Sequence, residues 1–469
     1  MSSAIPEDLP GEAPVIPTGT LKARHISMIA IGGVIGAGLF ISSSAAIAAA
    51  GPAILIGYLA TGGLVVLIMR MLGEMLIAQP RLGSFVDYIR AGNGAWAGFL
   101  AGWLYYFFWT ITIGSEAIGG ALILRDWVAV PVWALSVGLV MLVLLINVAA
   151  VHLFGECEFW LSLSKIVCLI GFSGIAMLYA LHILGHDVHV WGNLTAHGGF
   201  APHGWIAVVS AIPTLMFSMM GSEVATVAAA ESQDAEASVA RVTRSVGMRI
   251  AVFYIVSIAL VLCVVPWTSI APGQSPFVVA MEAMGVPGAA LILRIVVLSA
   301  VTSCLNSSIY ITSRTLAGLA SQGDAPRRCA HLSDNGVPVR AVVLSSVLGL
   351  MVAFCSILSP NGIFAFLVGA SGAVILFVYF LIVRAHKRLR ATMAARGTLP
   401  QAFRLRFCPL WNNLAMGAIA LVVIAMALTP SQRPTVIASL GTTAVTLAAF
   451  VVTRRTLAPT GPHREEHRA

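Results

Sequence analysis

Long apolar runs separated by short polar punctuation make up almost the whole of this chain. Twelve stretches of mostly apolar residues recur, at roughly 26–50, 52–79, 97–124, 131–150, 158–183, 206–230, 247–268, 289–320, 339–358, 362–384, 411–430 and 434–453. As helices, each is long enough to cross the ~30 Å hydrocarbon core of a bilayer. No polar linker long enough to divide domains interrupts them. The pattern predicts an all-α integral membrane protein with one domain over 26–454, flanked by cytoplasmic tails at 1–25 and 455–469. The head, residues 1–20, lacks a basic start followed by an apolar core, so no cleaved signal is expected.

Two of these runs are broken in their middles by glycine, in corresponding places. Span 1 contains Ile31-Gly-Gly-Val-Ile-Gly36-Ala-Gly38-Leu-Phe40, and span 6, five further on, contains Phe217-Ser-Met-Met-Gly221-Ser-Glu223. Unwound backbone inside a bilayer survives only where it lines a cavity or is buried in protein. A matched pair of broken spans is therefore the pointer to a transporter's binding site. The expected architecture is a 5+5 inverted repeat, one unit at about 26–183 and the other at about 206–384, with discontinuous helices 1 and 6. Two extra helices follow at about 411–453.

Composition narrows the class. Hydrophobic residues make up 58% of the chain, charged residues only 10%, and mean hydropathy is +0.93. A water-soluble domain carries about 25% charged residues, so that class is excluded. The net charge of +8 could suggest a nucleic-acid partner. Placing both termini in the cytoplasm, however, puts all but four of the 27 basic residues there: Arg125, Arg294 and Arg433 fall outside and Lys165 lies within a span. The excess is a positive-inside signal. Glycine loops for nucleotides, G-x-S-x-G and H-E-x-x-H are all missing, so neither an enzyme nor a cofactor is expected. The seven cysteines show no ligand spacing and read as small apolar filler. Five histidines on the outer side (His182, His186, His189, His197, His203) lack partners at metal-binding spacing.

Gly36 and Gly38 remove side chains that would keep a substrate from the backbone between Ile35 and Phe40. The N–H groups freed there, with the positive end of the half-helix that follows, suit a carboxylate; close helix packing through small residues is the competing reading. At the second break, carbonyls around Phe217, Ser218 and Gly221 suit an ammonium group, with Phe217 either a gate or a packing residue. Glu223 is costly in the bilayer unless it faces a cavity or a partner. It is either a proton carrier or a carboxyl joining two helices, and Glu231 is either an inner relay or a solvated helix-end acid. Glu116, in span 3, is a pocket or coupling acid or a structural hydrogen-bonding group. Lys165, in span 5, either snorkels towards the interface or exchanges a proton. The polar stretch Thr302–Tyr310 of span 8 lines a path or bonds across helices. The aromatic run Trp103–Trp109 reads as packing. Glu74, Glu156 and Glu158, near the cytoplasmic interface, are expected to make surface ion pairs.

From Leu21 to Arg455 the chain resembles the amino-acid permeases of the amino acid–polyamine–organocation superfamily. The likeness rests on Leu21-Lys-Ala-Arg-His25 before Ile35-Gly-Ala-Gly-Leu-Phe40, on Gly51-Pro and on Gly83-Ser-Phe85. Gly155-Glu-Cys-Glu-Phe-Trp160 with Lys165, and the stretch Phe217–Glu231, carry it further. Val301-Thr-Ser-Cys-Leu-Asn306-Ser, Gly323-Asp-Ala-Pro326 and Thr226-Val-Ala-Ala-Ala230 make it most similar to the 4-aminobutyrate (GABA) permeases. The resemblance implies twelve spans and proton-driven amino-acid import across the inner membrane. It places the substrate carboxylate on the span 1 loop and the amine on the span 6 carbonyls. It gives coupling or transport roles to Lys165, Glu223, Glu231 and Glu116, and sets Cys304 and Asn306 by the substrate path. One departure is Gly114-Ser115 before Glu116, where the family pattern is bulkier. The expected partners are a zwitterionic amino acid, protons and lipid. The alternatives are a permease for aromatic, branched or small alpha-amino acids, or a transporter-like sensor that binds without transport.

Overall fold

The computed structural model describes residues 35–79, 82, 84–149, 151–183, 189–223, 235–333, 336–397 and 403–457. The tail 1–25, Gly32, Gly33, Glu231, His186 and the last residues of the C-terminal tail lie outside them, as does Thr226–Ala230. Among the described residues all regular structure is helical. Nine helical stretches among the described residues are long and apolar enough to cross a membrane, and two further apolar helices, Val132–Asn147 and Gly204–Met219, are shorter.

Span 1 is represented by α1 (Ala37–Phe40) and α2 (Ser42–Ala50), and span 2 by α3 (Ile54–Ala78). A short helix, α4 (Phe85–Asn93), precedes the long α5 (Ala95–Leu124) of span 3, and α6 (Val132–Ala149) and α7 (Val151–Ala180) follow. After α8 (Val190–Thr195), span 6 enters as α9 (Gly204–Ser210) and α10 (Ile212–Met219). Span 7 runs through α11 (Ala235–Arg249), a π-helical turn over Ile250–Val256 and α12 (Ser257–Val264). The short helix α13 (Pro276–Ala283), α14 (Ala289–Ser321), α15 (Val339–Phe354) and α16 (Pro360–Arg396) come next. The last two among the described residues are α17 (Leu410–Leu428) and α18 (Arg433–Leu457).

Burial sorts these helices into a centre and a rim. The apolar window of α5 is 83% buried, against α14, α16, α15 and α6, whereas that of the last span is only 17% buried. Apolar residues cover α18 on all sides, which suits a helix facing lipid. The site is therefore built around α5.

Three elements differ from the sequence expectation. The helix α4 is too short to register as a span; Ser84 and Asp87 form a capping box at its start, with Ser84 N–H donating to Asp87 Oδ2 at 3.0 Å. Its apolar face docks on α16, where Asn93 Nδ2 donates to the Leu381 carbonyl at 2.9 Å. Span 10 continues to Arg396, so Arg384, Lys387, Arg388 and Arg390 stand on a helix rather than in a loop. Span 5 begins at Val151, seven residues earlier than expected, and this brings Glu158 inside it.

The carboxylates expected in surface ion pairs are likewise different. Glu74 is wholly buried; Arg390 Nη1 donates to both its oxygens, at 2.6 and 2.8 Å, and the Leu405 N–H donates at 2.7 Å. His386 Nε2 lies 3.6 Å away, and its Nδ1 meets Asn412 Nδ2 at 2.9 Å. This cluster fastens α3, α16 and the start of α17 together. Glu158 is also buried and bonds Ser303; the side chain of Glu156 lies outside the described set. Arg390→Ala would leave the Glu74 charge buried without its cation, a loss of about 3–5 kcal/mol. The expected outcome is a clearly lower midpoint in thermal unfolding of the detergent-solubilised protein.

Candidate functional site

The first break begins at Gly36, whose backbone (φ −139°, ψ −149°) is extended before α1 starts. Leu39 and Phe40 N–H return to the Gly36 carbonyl at 3.2 Å. The Ala37 N–H, orphaned by the start of the helix, donates to the Glu116 carboxylate, at 2.9 Å to Oε2 and 3.2 Å to Oε1. A methyl group on Gly36 would come within 2.8 Å of Glu116 Oε1 and within 2.7 Å of the Cys304 Sγ and Cβ. The glycine is what lets a span 3 carboxyl and a span 8 thiol close on the backbone of span 1. A second irregularity at Ile41 (φ −125°, ψ −51°) separates α1 from α2.

The second break follows Met219. Met220 is extended (φ −69°, ψ 158°), and Gly221 has φ +102°, a conformation that favours glycine. The Gly221 N–H donates to the carboxylate of Glu223, at 3.1 and 3.2 Å, and the Tyr105 hydroxyl donates to Glu223 Oε1 at 2.8 Å. Glu223 therefore joins span 3 to the span 6 break. The Tyr254 hydroxyl donates to the Ser218 carbonyl at 2.5 Å, which satisfies one of the carbonyls that the break releases.

The two breaks meet. Gly38 faces Ser218 so closely that a methyl group on Gly38 would lie 2.6 Å from the Ser218 Cα. Beside this contact is a small buried cavity with room for about one water molecule. Phe108, Trp109 and Phe217 form its aromatic side, with the rings of Phe108 and Phe217 6.0 Å apart. Thr112, Glu116 and Cys304 form its polar side. A carboxylate and its N–H partner at one end, aromatic faces along the wall and a chain break opposite suit a small, mostly extended molecule with a charge at each end.

Of the expected site residues, Gly38, Glu116, Phe217, Ser218 and Cys304 line the cavity; Gly36 and Ala37 pack on Glu116 and Cys304, and Gly221, next to Met220 of the lining, donates to Glu223. Ile35 instead lines a neighbouring cavity with Met219, Ser222, Arg249 and Tyr254. Asn306 is turned away; its carboxamide accepts from Asn147 Nδ2 at 2.6 Å, across spans 4 and 8. Lys165 is fully buried and its Nζ donates to Ser303 Oγ at 2.9 Å, so it does not snorkel to an interface. No cluster of three metal-ligating side chains occurs among the described residues. Sequence reasoning misses Tyr105, Trp109, Thr112 and Tyr254. The first three follow a pattern that the sequence does carry: with Glu116 they stand at i, i+4, i+7 and i+11, one face of span 3.

A bundle of membrane-length helices in which irregular backbone at Gly36 and at Met220–Gly221 comes together beside a small buried cavity suits a secondary transporter. The fold is similar to a solved mutant of the Eremococcus coleocola manganese transporter, with TM-score 0.55 at 14% identity, covering 92% of this chain and 94% of that one. The family model "Amino acid permease" matches residues 25–457. The gamma-aminobutyric acid permease of Bacillus subtilis is 42% identical over 440 residues, 93% of each chain. A probable GABA permease of Pseudomonas aeruginosa is 43% identical over 429 residues, 89% of each. The aromatic amino acid transport protein AroP of Salmonella typhimurium is 35% identical over 417 residues, 88% of this chain and 90% of that one. The chain belongs to the amino acid permease family.

Proposed function

We propose that this permease imports 4-aminobutyrate, or a closely related zwitterionic amino acid, together with protons across a bacterial inner membrane. It would do so with twelve spans and both termini in the cytoplasm. The observation that carries this reading is the Glu116 carboxylate seated on the Ala37 N–H at 2.9 Å, inside the cavity between the two broken spans. The protein's own carboxylate occupies the position that suits a substrate carboxylate. Two carboxylates at one N–H repel unless one of them carries a proton, so substrate and proton are linked at this end. The amine would lie towards Phe217, Ser218 and Gly221. Glu223, Glu231 and Lys165 are the coupling groups, and Gly36, Ala37, Gly38, Glu116 and Cys304 form or support the substrate path, whereas Asn306 bonds Asn147 and Ile35 lines the neighbouring cavity.

A cavity with room for about one water requires spans 1 and 6 to part before a substrate enters. Alternating access of this kind moves one set of helices against the other around a fixed site. A second reading, transport of aromatic alpha-amino acids, draws on the rings of Phe108, Trp109 and Phe217 in the wall and on the likeness to AroP. Competition against labelled 4-aminobutyrate uptake separates the two. Unlabelled 4-aminobutyrate is expected to compete strongly, and leucine and phenylalanine weakly. The reverse order would contradict the substrate assignment. Substrate is also expected to slow modification of Cys304 by a small thiol reagent, measured in a variant with the other cysteines replaced.

A further inference from the structure

We propose that Glu158 is the proton partner of Lys165, exchanging a proton with it through the Ser303 hydroxyl. The proposal rests on the reading of this protein as a proton-coupled permease. Glu158 and Lys165 are seven residues apart on α7, two turns along one face and about 10 Å in rise. Helical side chains lean towards the N-terminus, which carries the lysine stem back towards Glu158. Between them stands Ser303 of α14. Lys165 Nζ donates to Ser303 Oγ at 2.9 Å, and Ser303 Oγ donates to Glu158 Oε1 at 2.5 Å. All three residues are fully buried.

This is a continuous donor–acceptor line from an ammonium to a carboxylate. In the transfer, Ser303 gives its hydroxyl proton to Glu158 Oε1 while its oxygen takes a proton from Lys165 Nζ. The products are a neutral amine and a neutral acid, serine is regenerated, and the charges of the pair cancel before and after. The other oxygen of Glu158, Oε2, is buried without a hydrogen-bond partner among the described residues. A carboxylate retained only for structure gains by having both oxygens bonded; one oxygen left over is expected of a group that must also exist as the acid.

The line ends beside the substrate cavity. Ser303 precedes Cys304, which lines that cavity, and among the described residues the charged or titratable groups near Lys165 include Glu158 on its own helix, Cys304 on α14 and Glu116 on α5. Glu116, which holds the Ala37 N–H, is thus among the charged groups near Lys165. On the topology proposed above, Glu158 lies on the cytoplasmic side of Lys165 and would release the proton inward.

The test uses the full chain in proteoliposomes and two readouts of labelled 4-aminobutyrate: counterflow exchange, which needs no net proton movement, and accumulation driven by a pH gradient. For one proton per substrate, a gradient of about two pH units supports about 100-fold accumulation. Glu158→Gln is expected to retain counterflow while its accumulation ratio falls to about one. Ser303→Ala is expected to behave in the same way, and Ser303→Thr, which keeps the hydroxyl, to recover accumulation. Accumulation by Glu158→Gln equal to the parent's overturns the relay alone. A parent chain that does not accumulate at all overturns proton coupling, and the relay with it. Should Glu158→Gln lose counterflow as well, the Ser303 pair decides: Ala and Thr variants indistinguishable in accumulation overturn the proposal.

Discussion

Glu223→Gln is expected to abolish gradient-driven accumulation of 4-aminobutyrate while leaving a folded protein that still exchanges substrate. The carboxylate accepts from the Tyr105 hydroxyl at 2.8 Å and from the Gly221 N–H at 3.1 and 3.2 Å. Glutamine has the same shape, and its Oε1 can accept either bond, so the junction between span 3 and the break of span 6 largely survives. What glutamine cannot do is take up and release a proton. Each pH unit of gradient is worth about 1.4 kcal/mol, roughly tenfold in accumulation at one proton per substrate, and the variant forfeits that factor for every unit applied. Normal accumulation by the variant would make Glu223 a structural carboxyl that joins two helices.

Gly38→Ala is expected to remove both uptake and exchange, a different pattern from Glu223→Gln. The added methyl group would meet the Ser218 Cα at 2.6 Å. That neighbour is backbone and cannot rotate aside, so spans 1 and 6 must separate at their closest approach. Overpacking of this kind costs about 1–3 kcal/mol where the surroundings can yield, and here it falls on the contact that closes the cavity. Gly138→Ala supplies the control, because nothing lies within 4 Å of the added methyl group; it is expected to transport normally. Exchange at the parent rate by Gly38→Ala would show that the two spans need not close at this point.

The two helix breaks are legible in the sequence because glycine weakens a helix, and its clustering at matched places in two apolar runs marks where each helix gives way. Gly221 does adopt φ +102°. Depth within the bundle is not legible in the same way. Counting residues from the span ends puts Glu74 and Glu158 at an interface, and the structure buries both. Span 5 starts earlier than its hydropathy suggests, and the partner of Glu74, Arg390, is more than 300 residues away on a helix that overruns its apolar stretch. Proximity in sequence groups Asn306 with Cys304. Two residues on a helix turn about 200°, so the pair face different neighbours, and Asn306 meets Asn147. Tyr254 is not legible at all; its bond to the Ser218 carbonyl spans 36 residues and depends on how span 7 packs against the broken span 6.

The central proposal is proton-coupled import through a site where the irregular backbone of spans 1 and 6 meets. The measurement that tests it most directly is accumulation of labelled 4-aminobutyrate in proteoliposomes of the unaltered chain, with an inward-directed proton gradient and no other ion gradient. Accumulation rising about tenfold per pH unit, and collapsing when a protonophore is added, is the predicted result. Equilibration to equal concentrations on both sides, unchanged by the gradient or the protonophore, would contradict the account.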